Sequence, residues 1–282
     1  MKKLIINLTP TGMIPTKKMT PYVPVTPKEI VEDVLRCAEL GVSMVHLHAR
    51  DASGEPAYQK EIYAEIIQGI RTQIKDMVIC VSTSGRTFKT FEERSDVLRL
   101  PNGLKPDMAS LTLGSLNFNK IESISAPSMI MHLAECMQSQ GIKPELEVFD
   151  LGMVNFAHYL ISKGLLEPPY YFNIILGNLS SAQAKLSHIN LIVSELPENS
   201  FWSLGGVGNY QLNVNALGAI FADGIRIGLE DNIWFDEDRT IPATNPMLLK
   251  RILKIANTLG RYVATPDEVR DMLCLPKTKG GW

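Results

Sequence analysis

The chain is short of several things. Its four cysteines, Cys37, Cys80, Cys136 and Cys274, stand far apart and form no CxxC pair, which excludes a cysteine zinc site and a disulfide framework. All four read as small buried hydrophobes of a protein kept in a reducing cytoplasm. No apolar run approaches the ~18–20 residues that span a bilayer. After Met1-Lys2-Lys3 only Leu4-Ile5-Ile6 precede Asn7, too little for the apolar region of a signal peptide. Charge of one sign is missing as well: 28 basic against 30 acidic side chains leave −2, so no electrostatic case exists for a nucleic-acid or membrane partner. There is no low-complexity stretch and no linker, and all 282 residues read as one domain, 1–282.

What is present is alternation. Short apolar runs (Leu4–Leu8, Ser43–His48, Val78–Ser82, Met108–Thr112, Leu146–Phe149, Tyr170–Ile175, Phe201–Leu204 and Ile225–Leu229) trade places with helical patterns near 27–40, 59–75, 89–99, 127–140, 152–163, 181–195, 210–221 and 245–259. Strands alternating with helices imply parallel βαβ units. Eight such units in under 300 residues predict a (β/α)8 barrel, an α/β fold. The rival, a doubly wound sheet, lacks its glycine fingerprint: Asn7-Leu8-Thr9-Pro10-Thr11-Gly12 is not GxGxxG. Thr26-Pro27-Lys28-Glu29 and Thr265-Pro266-Asp267-Glu268 both carry an N-cap, Pro at the first helical position and a capping Glu. The second predicts a short extra helix after the eighth unit, with Lys277–Trp282 as a loose tail.

Side chains two apart on a strand face the same way. His46 and His48, at the end of the second strand, therefore both point into the barrel at its C-terminal rim. Two like-facing imidazoles suit Zn²⁺, although a lone HxH also suits two hydrogen-bonded core histidines. The eighth unit, Ile225-Arg226-Ile227-Gly228-Leu229-Glu230-Asp231-Asn232, places Arg226, Gly228 and Glu230 on one face. Two His and one carboxylate leave a coordination position open, as catalytic zinc requires. A loop carboxylate paired with Arg226 is the plainer alternative. Hydroxyls close the third and fourth strands (Ser82, Thr83, Ser84; Ser110, Thr112, Ser115), and Glu147 lies in the apolar fifth strand, where an unpaired carboxylate is costly. Gly205-Gly206-Val207-Gly208 follows the seventh strand, where barrels often hold phosphate, or simply turn. His132, His158 and His188 fall on helices and read as packing or surface residues.

These residues resemble the β-keto acid cleavage enzyme family, typified by 3-keto-5-aminohexanoate cleavage enzyme. The resemblance is carried in collinear order by Thr11-Gly12, Pro24–Ile30, Val45-His46-Leu47-His48-Ala49-Arg50-Asp51, Val81-Ser82-Thr83, Gly114–Phe118, Pro144–Phe149, Arg226–Asn232 and Ala264-Thr265-Pro266. It implies a zinc-dependent (β/α)8 barrel, usually a homotetramer, acting on small molecules: a β-keto acid and acetyl-CoA become acetoacetate and a new acyl-CoA. By position, His46, His48 and Glu230 resemble the zinc ligands and Ser82, Arg226 and Asp231 the catalytic residues. Glu147 resembles an active-site carboxylate. Thr83, Ser110, Thr112, Ile14 and Gly206 fall where substrate contacts are expected. One departure stands out. Members that cleave the amino substrate carry an acidic residue two positions after Thr-Gly, paired with its ammonium. Here that position is Ile14, which implies a keto acid with an apolar or uncharged side chain. Thr112 and Asn209 also differ. Two rivals are a zinc hydrolase of amidohydrolase type, whose HxH sits on the first strand rather than the second, and a barrel that binds metal without turnover.

Overall fold

Eight parallel strands close on themselves in the computed structural model, which describes residues 2–277. They are β1 (Ile5–Leu8), β2 (Met44–Leu47), β3 (Val78–Val81), β4 (Met108–Thr112), β5 (Lys143–Val148), β6 (Tyr170–Leu176), β7 (Ser200–Gly206) and β8 (Gly224–Ile227). Each pairs with its chain neighbours, and β8 pairs with β1 to close the ring. The helices between them are α1 (Pro27–Ala38), α2 (Lys60–Gln73), α3 (Phe91–Ser95), α4 (Pro127–Gln140), α5 (Leu151–Ser162), α6 (Leu186–Ser194), α7 (Gln211–Phe221) and α8 (Asn245–Thr258). This is the predicted (β/α)8 barrel.

Period two along each strand splits the core in two. Leu4, Ile6, Leu8, Val45, Leu47, Ile79, Val81, Leu111, Phe172 and Ile174 face outward and pack under the helices. Ile5, Met44, Val78, Cys80, Met108 and Tyr171 face inward and fill the lower barrel. The short helix expected at the C-terminus, α9 (Pro266–Met272), closes that end: Val269 and the following Leu273 and Leu275 complete the inner cluster. Above this apolar floor the inward positions turn polar, with Asn7, His46, Glu145, Asn173 and Arg226 all buried.

The capping signals form as written. Thr26 and Thr265 each accept from the N–H three residues on, and their own N–H groups donate back to the Glu29 and Glu268 carboxylates. Boundaries shift where hydrogen bonds overrule pattern. β5 begins at Lys143, because Lys143 and Pro144 pair with Met108 and Ala109 of β4 although neither is apolar in the expected way. β8 ends at Ile227, so Glu230 stands on a turn rather than on the strand. α6 starts at Leu186 because Ala182 is drawn into loop bonds with Phe149 and Gly177. Not every cysteine is buried: Cys37 and Cys80 are, Cys136 is half-buried and Cys274 is exposed, having left α9 in a left-handed turn (φ 52). His132, His158 and His188 lie on α4, α5 and α6 as expected. Of the expected tail, residues 278–282 lie outside the described residues. Among the described residues no helix is long and apolar enough to cross a membrane.

Candidate metal centre and active site

His46 is the penultimate residue of β2, on its inner face, and His48 stands one residue beyond the strand. Their Nε2 atoms lie 3.3 Å apart, and Glu230 Oε1 lies 3.3 Å from His48 Nε2. The other nitrogen of His46, Nδ1, is 2.5 Å from Glu145 Oε2. Glu145 is fully buried, and its Oε1 accepts from Asn7 Nδ2 at 2.6 Å and Asn173 Nδ2 at 2.7 Å. Burial by itself disfavours the imidazolium, but the Glu145 carboxylate raises the His46 pKa to about 9. Burial lowers that of His48, keeping it in the neutral form that ligates metal.

The three ligand atoms of His46, His48 and Glu230 fall within 4.8 Å of one another. Glu230 Oε2 is buried with no hydrogen-bond partner. An orphaned carboxylate oxygen beside two convergent imidazole nitrogens is the environment a cation satisfies. The anchoring of His46 Nδ1 by a carboxylate is the outer support that metal-binding histidines generally have. His46, Cys80 and Glu145 form a second close trio. In it the Cys80 thiol donates to Glu145 Oε2 at 3.2 Å, and burial, reinforced by Glu145, raises the thiol well above its ordinary pKa.

Arg226, buried on β8, ties the acids together. Its Nε donates to Asp231 Oδ2 at 3.0 Å, Nη2 to Glu230 Oε1 at 2.7 Å and Nη1 to Glu147 Oε1 at 3.4 Å. Burial raises the pKa of both Asp231 and Glu147, against the pull of Arg226. Thr9 Oγ1 donates to Asp231 at 3.3 Å, and Thr112 Oγ1 to Glu147 Oε2 at 2.7 Å. Thr112 therefore orients Glu147.

The remaining expected residues spread around this centre. Ser82 lies one pleat above Cys80, and its Oγ accepts from Ser84 N at 3.2 Å. Thr83 and Ser110 fasten the ends of β3 and β4: Thr83 N donates to Ser110 Oγ at 3.1 Å and Thr83 Oγ1 to the Ser110 carbonyl at 2.5 Å. A cleft beside His48 is lined by Met13, Tyr58, Tyr63, Ser82, Thr83 and Phe88. Ile14 is 47% exposed, and Met13 rather than Ile14 enters that lining. Gly206 ends β7; a Cβ there would lie 2.7 Å from the Tyr210 carbonyl, so packing of its own turn requires this glycine.

Two supports escaped the sequence reading. Glu145 was legible in principle, two residues before Glu147 on the same face. Arg50 was not. Its guanidinium donates to Gly12 O at 3.0 and 2.7 Å and to Pro15 O at 3.0 Å, clamping the long first loop over the site. Gly12, at φ +67, then sits against Glu230, whose Cγ would be 2.5 Å from any Cβ at that position.

A sequence profile described as beta-keto acid cleavage enzyme matches residues 3–275. The chain belongs to the β-keto acid cleavage enzyme family. Over 278 residues it is 35% identical to the 3-keto-5-aminohexanoate cleavage enzyme of Fusobacterium nucleatum, covering 98% of this chain and 100% of that one. It is 31% identical over 275 residues to the 3-oxoadipate:acetyl-CoA acetyltransferase of Cupriavidus necator, covering 96% and 95%. Among solved structures, apo ObcA superposes with a TM-score of 0.76 at 22% identity, over 90% of this chain and 66% of that one. That likeness speaks to the fold.

Proposed function

We propose that this member of the β-keto acid cleavage enzyme family is a carbon–carbon bond-cleaving acyltransferase. It converts a β-keto acid and acetyl-CoA into acetoacetate and a new acyl-CoA. The observation that carries the reading is the convergence of His46, His48 and Glu230 on one point, beside the Arg226–Asp231 pair.

His46, His48 and Glu230 would hold Zn²⁺, which when bound supplies Lewis-acid polarisation of a carbonyl oxygen. The chain's own residues perform the proton and charge chemistry. Asp231, its pKa raised by burial, takes the proton from C2 of the keto acid; Arg226 holds the carboxylate in place through Nε. The C2 carbanion attacks the thioester carbonyl of acetyl-CoA and expels CoA thiolate. The thiolate attacks the original keto carbon, the C2–C3 bond breaks, and the acetoacetate carbanion takes back the proton from Asp231. Ser82, whose hydroxyl hydrogen is free to donate while its oxygen accepts from Ser84, steadies the substrate carboxylate or a developing oxyanion. Glu147, held by Arg226 and Thr112, completes the anionic wall. Thr83, Ser110, Thr112 and Gly206 shape the walls around the keto acid.

The substrate lacks a cationic amino group. Ile14 supports this, since it supplies no carboxylate at the position where amino-substrate members have one. A homotetramer in the cytoplasm, with the whole chain as one domain, completes the proposal. The unpaired cysteines and exposed apolar side chains such as Phe221 and Leu186 are consistent with both settings. Incubating the zinc-loaded protein with acetyl-CoA and mixed β-keto acids, with mass detection of new acyl-CoA, tests the reaction. Hydrolysis without CoA would favour the amidohydrolase-type reading. Absence of zinc, with His46→Ala changing no turnover, would leave a non-catalytic barrel.

A further inference from the structure

The arginines near the rim differ in what they hold. Arg50 donates to the loop carbonyls of Gly12, Pro15 and Gly54. Arg94 donates to Thr83 O, Ile124 O and Ser125 Oγ. Arg226 is shared among Glu147, Glu230 and Asp231. Arg86, on the loop after β3, is the exception. Its guanidinium carbon lies 3.5 Å from the centroid of the Phe118 ring, and Phe118 is braced edge-on by Phe149 at 5.9 Å. Its Nε is buried without a hydrogen-bond partner, and among the described residues no carboxylate pairs with it.

A guanidinium stacked on an aromatic face keeps its in-plane donors free, and that fork matches a carboxylate. A buried donor left unsatisfied is destabilising, and an entering acceptor would relieve that. Location narrows the ligand. Arg86 N donates to Ser84 Oγ at 3.3 Å and Ser84 N to Ser82 Oγ at 3.2 Å, so the arginine shares the rim loop after β3 with Ser82 of the reacting centre. The phosphates of a CoA thioester lie a whole pantetheine arm away from the thioester carbon. The anion that reaches this centre is the keto acid, and Arg226 there is already shared by three carboxylates.

We propose that Arg86, stacked on Phe118, is the residue that binds a carboxylate of the β-keto acid. The assignment rests on the proposed reaction and names the group that recognises its acidic co-substrate. Every β-keto acid carries the C1 carboxylate, and a 3-oxo dicarboxylate carries a distal one. The shared chemistry is the same, and the test separates the two.

The experiment compares wild type, Arg86→Met and Arg86→Lys with 3-oxopentanoate and with 3-oxoadipate, varying each against saturating acetyl-CoA and the reverse. Calorimetry with the keto acid alone, without acetyl-CoA, reads binding without turnover. The expected result is a rise of about 10–100-fold in the keto acid KM and Kd for Arg86→Met. The acetyl-CoA KM should stay within about 2-fold, with partial recovery in Arg86→Lys. Loss on both acids assigns the C1 carboxylate; loss on 3-oxoadipate alone assigns the distal one. Unchanged keto acid KM and Kd, or a rise confined to acetyl-CoA, overturns the assignment. If Arg86→Met fails to fold by circular dichroism, Arg86→Gln replaces it. Absence of turnover in wild type would sink the reaction itself, whereas normal wild-type turnover with an indifferent Arg86→Met sinks only the role of Arg86.

Discussion

Glu145 Oε2 stands 2.5 Å from His46 Nδ1, on the side of the ring opposite His48 and Glu230. The carboxylate fixes the tautomer that leaves Nε2 as an acceptor and raises its basicity. Glu145→Gln should therefore weaken zinc affinity about 10–100-fold while the fold persists. Competition with a chromogenic chelator measures this, and unchanged affinity would mean that Glu145 serves only to satisfy Asn7 and Asn173.

Glu230 and Asp231 are neighbours with separate tasks. Glu230 faces His48 and leaves one oxygen orphaned, whereas Asp231 faces Arg226 and Thr9. Glu230→Gln should lose metal; Asp231→Asn should keep metal and lower kcat by about 100-fold or more, the usual worth of a general base. Metal content by atomic emission beside steady-state rates distinguishes them. Equal metal loss in both would overturn the division.

Acid stability offers a prediction away from the active centre. Burial works to raise the Glu29 carboxyl, but Lys17 and the N–H groups of Val25 and Thr26 outweigh it and hold the pKa at about 2 against an ordinary 4.5. A depressed carboxyl pKa contributes stability that is complete above the unfolded value and vanishes as pH falls through the folded one. The stability gap between wild type and Glu29→Gln should thus be constant above pH 4.5 and close as pH falls toward 2. Urea midpoints at several pH values check it; a gap that does not move with pH refutes the linkage.

Leu273 is fully buried where the end of α9 closes the lower barrel. Leu273→Ala should cost about 2–5 kcal/mol, as cavities in packed cores do, with kcat nearly unchanged because the site lies at the opposite rim. Thermal unfolding and steady-state assays measure the two effects. A large fall in kcat in the folded variant would show that the floor is coupled to the rim.

The repeat of eight strand–helix units and the two capping boxes can be read directly along the chain. Each depends on periodicity or on contacts within a few residues, and these survive without knowledge of the fold. His46 and His48 share a face because strands have period two. Closing the ring adds contacts that cannot be read along the chain: Glu145 of β5 behind His46 of β2, Arg50 on the carbonyls of the first loop, Arg226 among three acids. These pairs are separated by 99 residues for His46 and Glu145 and 79 for Arg226 and Glu147. No local pattern specifies such contacts; they exist because β8 pairs with β1 and the inward side chains of distant strands then share one enclosed space.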